Sequence, residues 1–157
     1  MAGRKVWAFA AVVLLLAGCG GGGGGGGGRL SKAEYQRKMQ AEAQRLTSAL
    51  QSANLATATS LKDFAAKIGS VKADIQKAAD AVDALNPPED ADADTQRIAD
   101  TLHRFAAIVG QIEDAAAKGN LASVRRFVAQ LQNEGRAAQP AVQDLKQKGY
   151  DVGQFSG

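Results

Sequence analysis

One cysteine, three prolines and a single histidine are spread through a chain of 157 residues. The lone cysteine, Cys19, excludes an internal disulfide, so stability has to come from packing. No Cys-x-x-Cys-His run is present, which excludes covalent haem attachment. Runs of β-branched residues and alternating apolar-polar stretches are also missing, and with them the signature of a sheet. With His103 as the only histidine, the Glu-x-x-His pairs of a di-iron carboxylate bundle cannot be built. No serine sits on a nucleophile elbow. No catalytic residue is therefore expected, and the chain reads as a protein that is not an enzyme.

Charge gives a second exclusion. The formal net charge is +3, from 19 basic and 16 acidic residues. Arg4 and Lys5 belong to the leader described next; without them 17 bases face 16 acids, a balance near +1. That balance does not mark a nucleic-acid partner.

What is present at the start is informative. Arg4 and Lys5 precede twelve uninterrupted apolar residues, Val6 to Ala17. A membrane span needs roughly 20 such residues, whereas this length suits the apolar region of a secretory signal peptide. The run closes in Leu16-Ala17-Gly18-Cys19. This stretch resembles the bacterial lipoprotein lipobox. The resemblance implies that the Cys19 thiol takes a diacylglyceryl group and that cleavage falls between Gly18 and Cys19. Residues 1–18 are then the signal peptide, and residues 19–29 a lipidated cysteine with a glycine linker. The expected location is the outer face of the cell membrane, held by the N-terminal lipid. Two or more acyl chains anchor stably where one does not. Gly20 to Gly28 are nine consecutive glycines, too costly in backbone entropy to order. As a flexible coil they span about 16 Å.

From residue 30 to residue 157 the pattern is helical throughout. Ser31 and Glu34 form a capping box with Leu30 as staple, and Tyr35, Met39, Ala43, Leu46, Leu50 and Ala53 follow at spacings of three and four. A turn is placed over residues 54–59. Ser60 caps a second helix whose seam runs Leu61, Phe64, Ile68, Val71, Ile75, Ala78, Val82, Leu85 and stops at Asn86, before Pro87 and Pro88. The third opens in Glu89, Asp90, Asp92 and Asp94, which complement the helix dipole, and carries Ile98, Leu102, Phe105, Val109, Ile112 and Ala116. Gly119 stops it and Asn120 caps the fourth. That helix keeps the phase of Leu121, Val124, Val128, Leu131, Gly135, Ala138, Val142 and Leu145 across Pro140, so one kinked helix is expected. Gly149 ends it, and Tyr150, Val152 and Phe155 should fold back over one end. The expected fold is all-α, an antiparallel four-helix bundle behind a cleaved signal peptide and a flexible poly-Gly tether.

Few residues are candidates for chemistry. Met39 and His103 are the only pair in the mature chain that could ligate haem, which makes a small-ligand or haem carrier the alternative function. Asp90, Asp92 and Asp94 imitate the first ligands of a calcium loop, but Thr95 and Thr101 occupy the glycine and glutamate positions, so no metal and no other cofactor is expected. The three aspartates read instead as a solvated helix start. Arg125-Arg126 reads as solvated surface able to touch anionic headgroups. Small residues and the kink around Gly135, Ala138 and Pro140 suggest a groove. Leu30-Ser31-Lys32-Ala33-Glu34-Tyr35 and Leu85-Asn86-Pro87-Pro88 are similar to segments of uncharacterised small helical exported proteins of high-GC Gram-positive bacteria. That resemblance transfers no active site. The leading expectation is a membrane-anchored binding or structural module of the cell envelope, with an envelope protein as its possible partner.

Overall fold

A computed structural model describes residues 28–153. The leader, Cys19 and Phe155 lie outside the described residues. Four helices follow one another: α1 (Lys32–Ala53), α2 (Leu61–Asp83), α3 (Asp92–Ala117) and α4 (Leu121–Gln147). Short 3-10 turns at Leu55–Thr57 and Glu89–Ala91 join them, and no strand occurs among the described residues. No helix among them is long and apolar enough to cross a membrane.

The boundaries follow from local chemistry. Ser31 Oγ accepts from the Glu34 amide at 3.3 Å while the Glu34 carboxylate accepts from the Ser31 amide at 3.1 Å, which completes the capping box. Asn54 ends α1 in the left-handed region (φ 46°). Ser60 Oγ accepts from the Asp63 amide to start α2. Helix α2 ends at Asp83, three residues short of the expected Asn86. Its last turn tightens through Leu85 N to Val82 O, and the Asn86 carbonyl is spent on the Leu30 amide at 2.7 Å. Gly119 takes φ 70°, and the Asn120 and Gly119 amides donate to Ala115 O and Ala116 O, a Schellman closure of α3. Asn120 then caps α4 through Ser123 N. Helix α4 continues unbroken through Pro140.

Contacts between chain ends fix the topology. Leu30 meets Asn86, Tyr35 meets Thr95 and Lys148 meets Asp94. The starts of α1 and α3 and the ends of α2 and α4 therefore share one end of the molecule. The two interhelical turns at residues 54–60 and 118–120 share the other. This is an antiparallel four-helix bundle. Helix α3 packs along both α2 and α4, and α1 packs along α2. The most deeply buried large side chains include Tyr35, Met39, Val82, Ile98, Ile112 and Leu145. Each contributes roughly 1.5–3 kcal/mol against the entropy of ordering.

Three seam residues depart from the expected core. Leu50 is 51 % exposed, Leu121 46 % and Val128 38 %. The heptad pattern presumes a neighbour on each side, but α1 and α4 have no extended packing with one another. Their seam positions toward the turn end are left uncovered.

Gly69 has a structural reason. A Cβ there would stand 2.7 Å from Glu113 Oε1, and Glu113 pairs with Lys72 at 2.6 Å across the α2–α3 contact. We expect Gly69→Ala to change unfolding free energy little, because the helix-propensity gain of about 1 kcal/mol is offset by displacement of the Glu113 carboxylate. In a Glu113→Ala background the same substitution should stabilise by about 1 kcal/mol. Denaturant titration of the four variants measures this, and equal effects in the two backgrounds would refute the account.

Candidate functional site

The densest polar constellation lies at the end of the bundle where the N-terminal linker joins it. Gly149 adopts φ 79°, and the Tyr150 amide reaches back to Leu145 O at 2.8 Å. This second Schellman closure turns the chain onto the bundle. Tyr150 thereby lands edge-on against Tyr35, with ring centroids 5.4 Å apart and planes at 89°. Its hydroxyl donates to Asp90 Oδ1 at 2.6 Å. The Lys32 ammonium lies 4.5 Å from the Tyr150 ring centroid and donates to Lys148 O. Tyr35 is fully buried; its hydroxyl donates to Thr95 Oγ1, which donates to Ala91 O.

Asp94 is the chemical centre of this end. Only 1 % exposed, it accepts from Lys148 Nζ at 2.7 Å and from Arg97 at 3.0 Å. Lys148 also pairs with Asp144 at 2.8 Å. Its hydrogen bonds to Asp144 and Asp94 push the Lys148 ammonium far above its usual value, and Lys148 in turn holds the Asp144 carboxyl below the usual range. Burial, then the Asp90 carboxylate, pushes Tyr150 up to about 12, and burial also raises Tyr35. No buried side-chain polar atom among the described residues lacks a partner. The polar groups of this end are hydrogen-bonded to one another and to the backbone of the fold. They act as a clasp that fixes the C-terminal tail and α1 to α3.

The expectation of a solvated helix start holds for Asp90 and Asp92, both exposed, and is corrected for Asp94. The three carboxylates diverge: Asp90 serves Tyr150, Asp92 pairs with Arg29 at 3.0 Å, and Asp94 is buried. Helical rotation separates them, and Asp94 faces inward because α4 supplies a cation to meet it. No cluster of three metal-ligating side chains occurs among the described residues.

The haem pair does not converge. Met39 is sealed in the core on α1, and His103 is exposed on α3. An axial pair has to face one pocket, which these residues do not. The expected groove at Gly135 is met by the Phe105 ring, 3.7 Å from where a Cβ would stand, and Ala138 is buried. A shallow groove of about 650 Å³ lies elsewhere, between α1 and the tail, lined by Gln40, Ala43, Gln44, Thr47, Ser48, Asp151 and Gly153. Its polar lining is amide and hydroxyl with one carboxylate, that of Asp151. Arg126 stacks on Phe127 at 4.7 Å, and Arg125 is exposed beside it.

The expected fold-back of Tyr150 and Val152 over one end is seen, both being buried, but the polar pairs of the clasp, Lys148 with Asp94 and Tyr150 with Asp90, were not anticipated. Their signal was present only as Gly149 followed by Tyr150 and an excess of acid at the α3 start. With this geometry established, comparison with known proteins adds no relative: no family model, curated protein or solved structure matches the chain.

The raised phenols set a pH dependence. Above about 10, the ordinary phenol value, the unfolded chain sheds protons that folded Tyr150 and Tyr35 retain. Stability should therefore fall as pH rises from about 10 toward 12, and Tyr150→Phe should flatten that decline. Thermal melts across this range check it, and an unaltered slope in Tyr150→Phe would contradict the assignment.

Proposed function

We propose that this chain is a lipid-anchored protein of the outer face of the cell membrane and that its bundle is a non-enzymatic binding or structural module of the envelope. The observation that carries the reading is the order Arg4-Lys5, apolar run, Leu16-Ala17-Gly18-Cys19 and nine glycines, placed directly before a domain that starts with its own cap at Ser31. Cys19 has the one definite chemical role, attachment through its thiol. The fold supports a passive module in two ways. The described polar cluster is saturated internally, and the two candidate haem ligands face different environments.

The junction is compatible with a tether. Arg29 donates to Pro87 O at 2.9 Å and pairs with Asp92, and the Leu30 amide is bound to Asn86 O. A pull on the linker is thus carried by the α2–α3 connection as well as by the first turn of α1. The clasp at the same end then ties α1 and α4 to α3. These contacts brace the end from which the linker leaves, which suits a displayed module.

Fractionation of cells producing the wild type and Cys19→Ala tests the anchor, together with metabolic labelling by an alkyne fatty acid. Wild type should fractionate with membranes and incorporate label, and the variant should lose the label and the mature, cleaved form. Retention of both label and processing in Cys19→Ala would sink the reading.

A further inference from the structure

Helix α4 carries a face that the bundle does not use. Leu121, Arg125, Val128, Arg136 and Lys146 lie on one helical stripe, at successive steps of three and four, with glutamines at 132, 139 and 143 between them. All eight positions are exposed. The stripe runs the length of the helix, about 37 Å at 1.5 Å per residue.

Its charge is of one sign. The two carboxylates of α4, Glu134 and Asp144, lie off the stripe and are engaged by Arg104 and Lys148. Arg125, Arg136 and Lys146 have no anionic partner among the described residues. The exposed surfaces of α2 and α3 differ, since Asp80, Asp83, Asp100 and Asp114 interrupt their bases. Leu121 and Val128 project from the same stripe, 46 % and 38 % exposed. A helix face with cations spaced along it, no acid and two protruding apolar side chains is complementary to a bilayer surface bearing anionic headgroups.

Position supports the same occupant. Lys146 lies two residues before Lys148, whose carbonyl accepts from Lys32 at the start of α1. The stripe therefore begins next to the end from which the glycine linker leaves. A second copy is a poor fit, because two facing stripes would bring cations together with no carboxylate on either to meet them.

We infer that the exposed α4 stripe, Leu121 to Lys146, rests on the anionic surface of the membrane to which Cys19 tethers the chain. This rests on the anchor reading above. Each contact is weak by itself, but the tether holds the domain at high effective concentration above the headgroups. Docking lays α4 down and turns the α2–α3 surface outward.

The test uses the full lipidated protein on vesicles of dioleoylphosphatidylglycerol or dioleoylphosphatidylcholine containing a nitroxide-labelled lipid quencher. A fluorophore is placed at Gln132→Cys on the stripe, or at Gln76→Cys on the exposed side of α2. Position 132 should be quenched on phosphatidylglycerol and not on phosphatidylcholine, with position 76 unquenched on both. Arg125→Glu with Arg136→Glu should reduce quenching at 132 by more than about fivefold, and circular dichroism should be unchanged since both sites are exposed. An acylated chain unquenched at 132, quenched equally on both lipids, or insensitive to the charge reversal overturns the docking alone. So does preferential binding of an acidic amphipathic peptide, or stripe-dependent dimers in sedimentation. Absence of an acyl group on Cys19 by mass spectrometry overturns the anchor reading and this one with it.

Discussion

A carboxylate removed from water has to be paired, and Asp94 is 1 % exposed. Its two oxygens take Lys148 from the end of α4 and Arg97 from its own helix. The pairing is what locates the end of α4 relative to the start of α3. Once Lys148 is held, Gly149 can turn the chain, Tyr150 can pack on Tyr35, and Lys32 can reach the Lys148 carbonyl. Burying one charge thus determines where three other elements lie. Such a pair adds less to net stability than its geometry suggests, since desolvation opposes the Coulombic gain. Its effect is on which arrangement is adopted.

The bundle is consequently tight at one end and looser at the other. Tyr35, Thr95, Leu145, Tyr150 and Val152 are all buried near the clasp. Toward the turns, Leu50, Leu121 and Val128 emerge into solvent. Helices α1 and α4 are tied together at the clasp without packing along their lengths. This leaves α4 with one face on α3 and a stripe beside that face exposed along its whole length. If Cys19 is acylated as proposed, the surface that the linker brings near this stripe of one charge sign is the membrane.

Much of the fold was legible from local chemistry. Ser31, Ser60 and Asn120 cap the helices as their neighbours imply, and Asn54 and Gly119 end helices with the positive φ that stops require. Periodicity named buried residues such as Ile68, Val71, Ile98 and Val142. These succeed because capping and amphipathicity act within a few residues. The fold-back of Tyr150 and Val152 was legible too, but the polar pairings of the clasp were not, for the opposite reason. Tyr150 and Asp90 are 60 residues apart, and Lys148 and Asp94 are 54 apart. Nothing local distinguishes the buried Asp94 from the exposed Asp92 two positions earlier.

The sequence by itself determined the number of helices, the capped starts at Ser31, Ser60 and Asn120, and the order apolar run, cysteine, glycines, helical domain. Those are set by hydrogen bonds at helix ends and by the period of apolar residues, both short-range. Only the tertiary structure decided which seam residues are covered, that Asp94 is buried while Asp92 is not, and that α4 keeps an acid-free stripe unpartnered. Those depend on which helices lie side by side and on where each carboxylate finds a cation, which are relations between residues far apart in the chain.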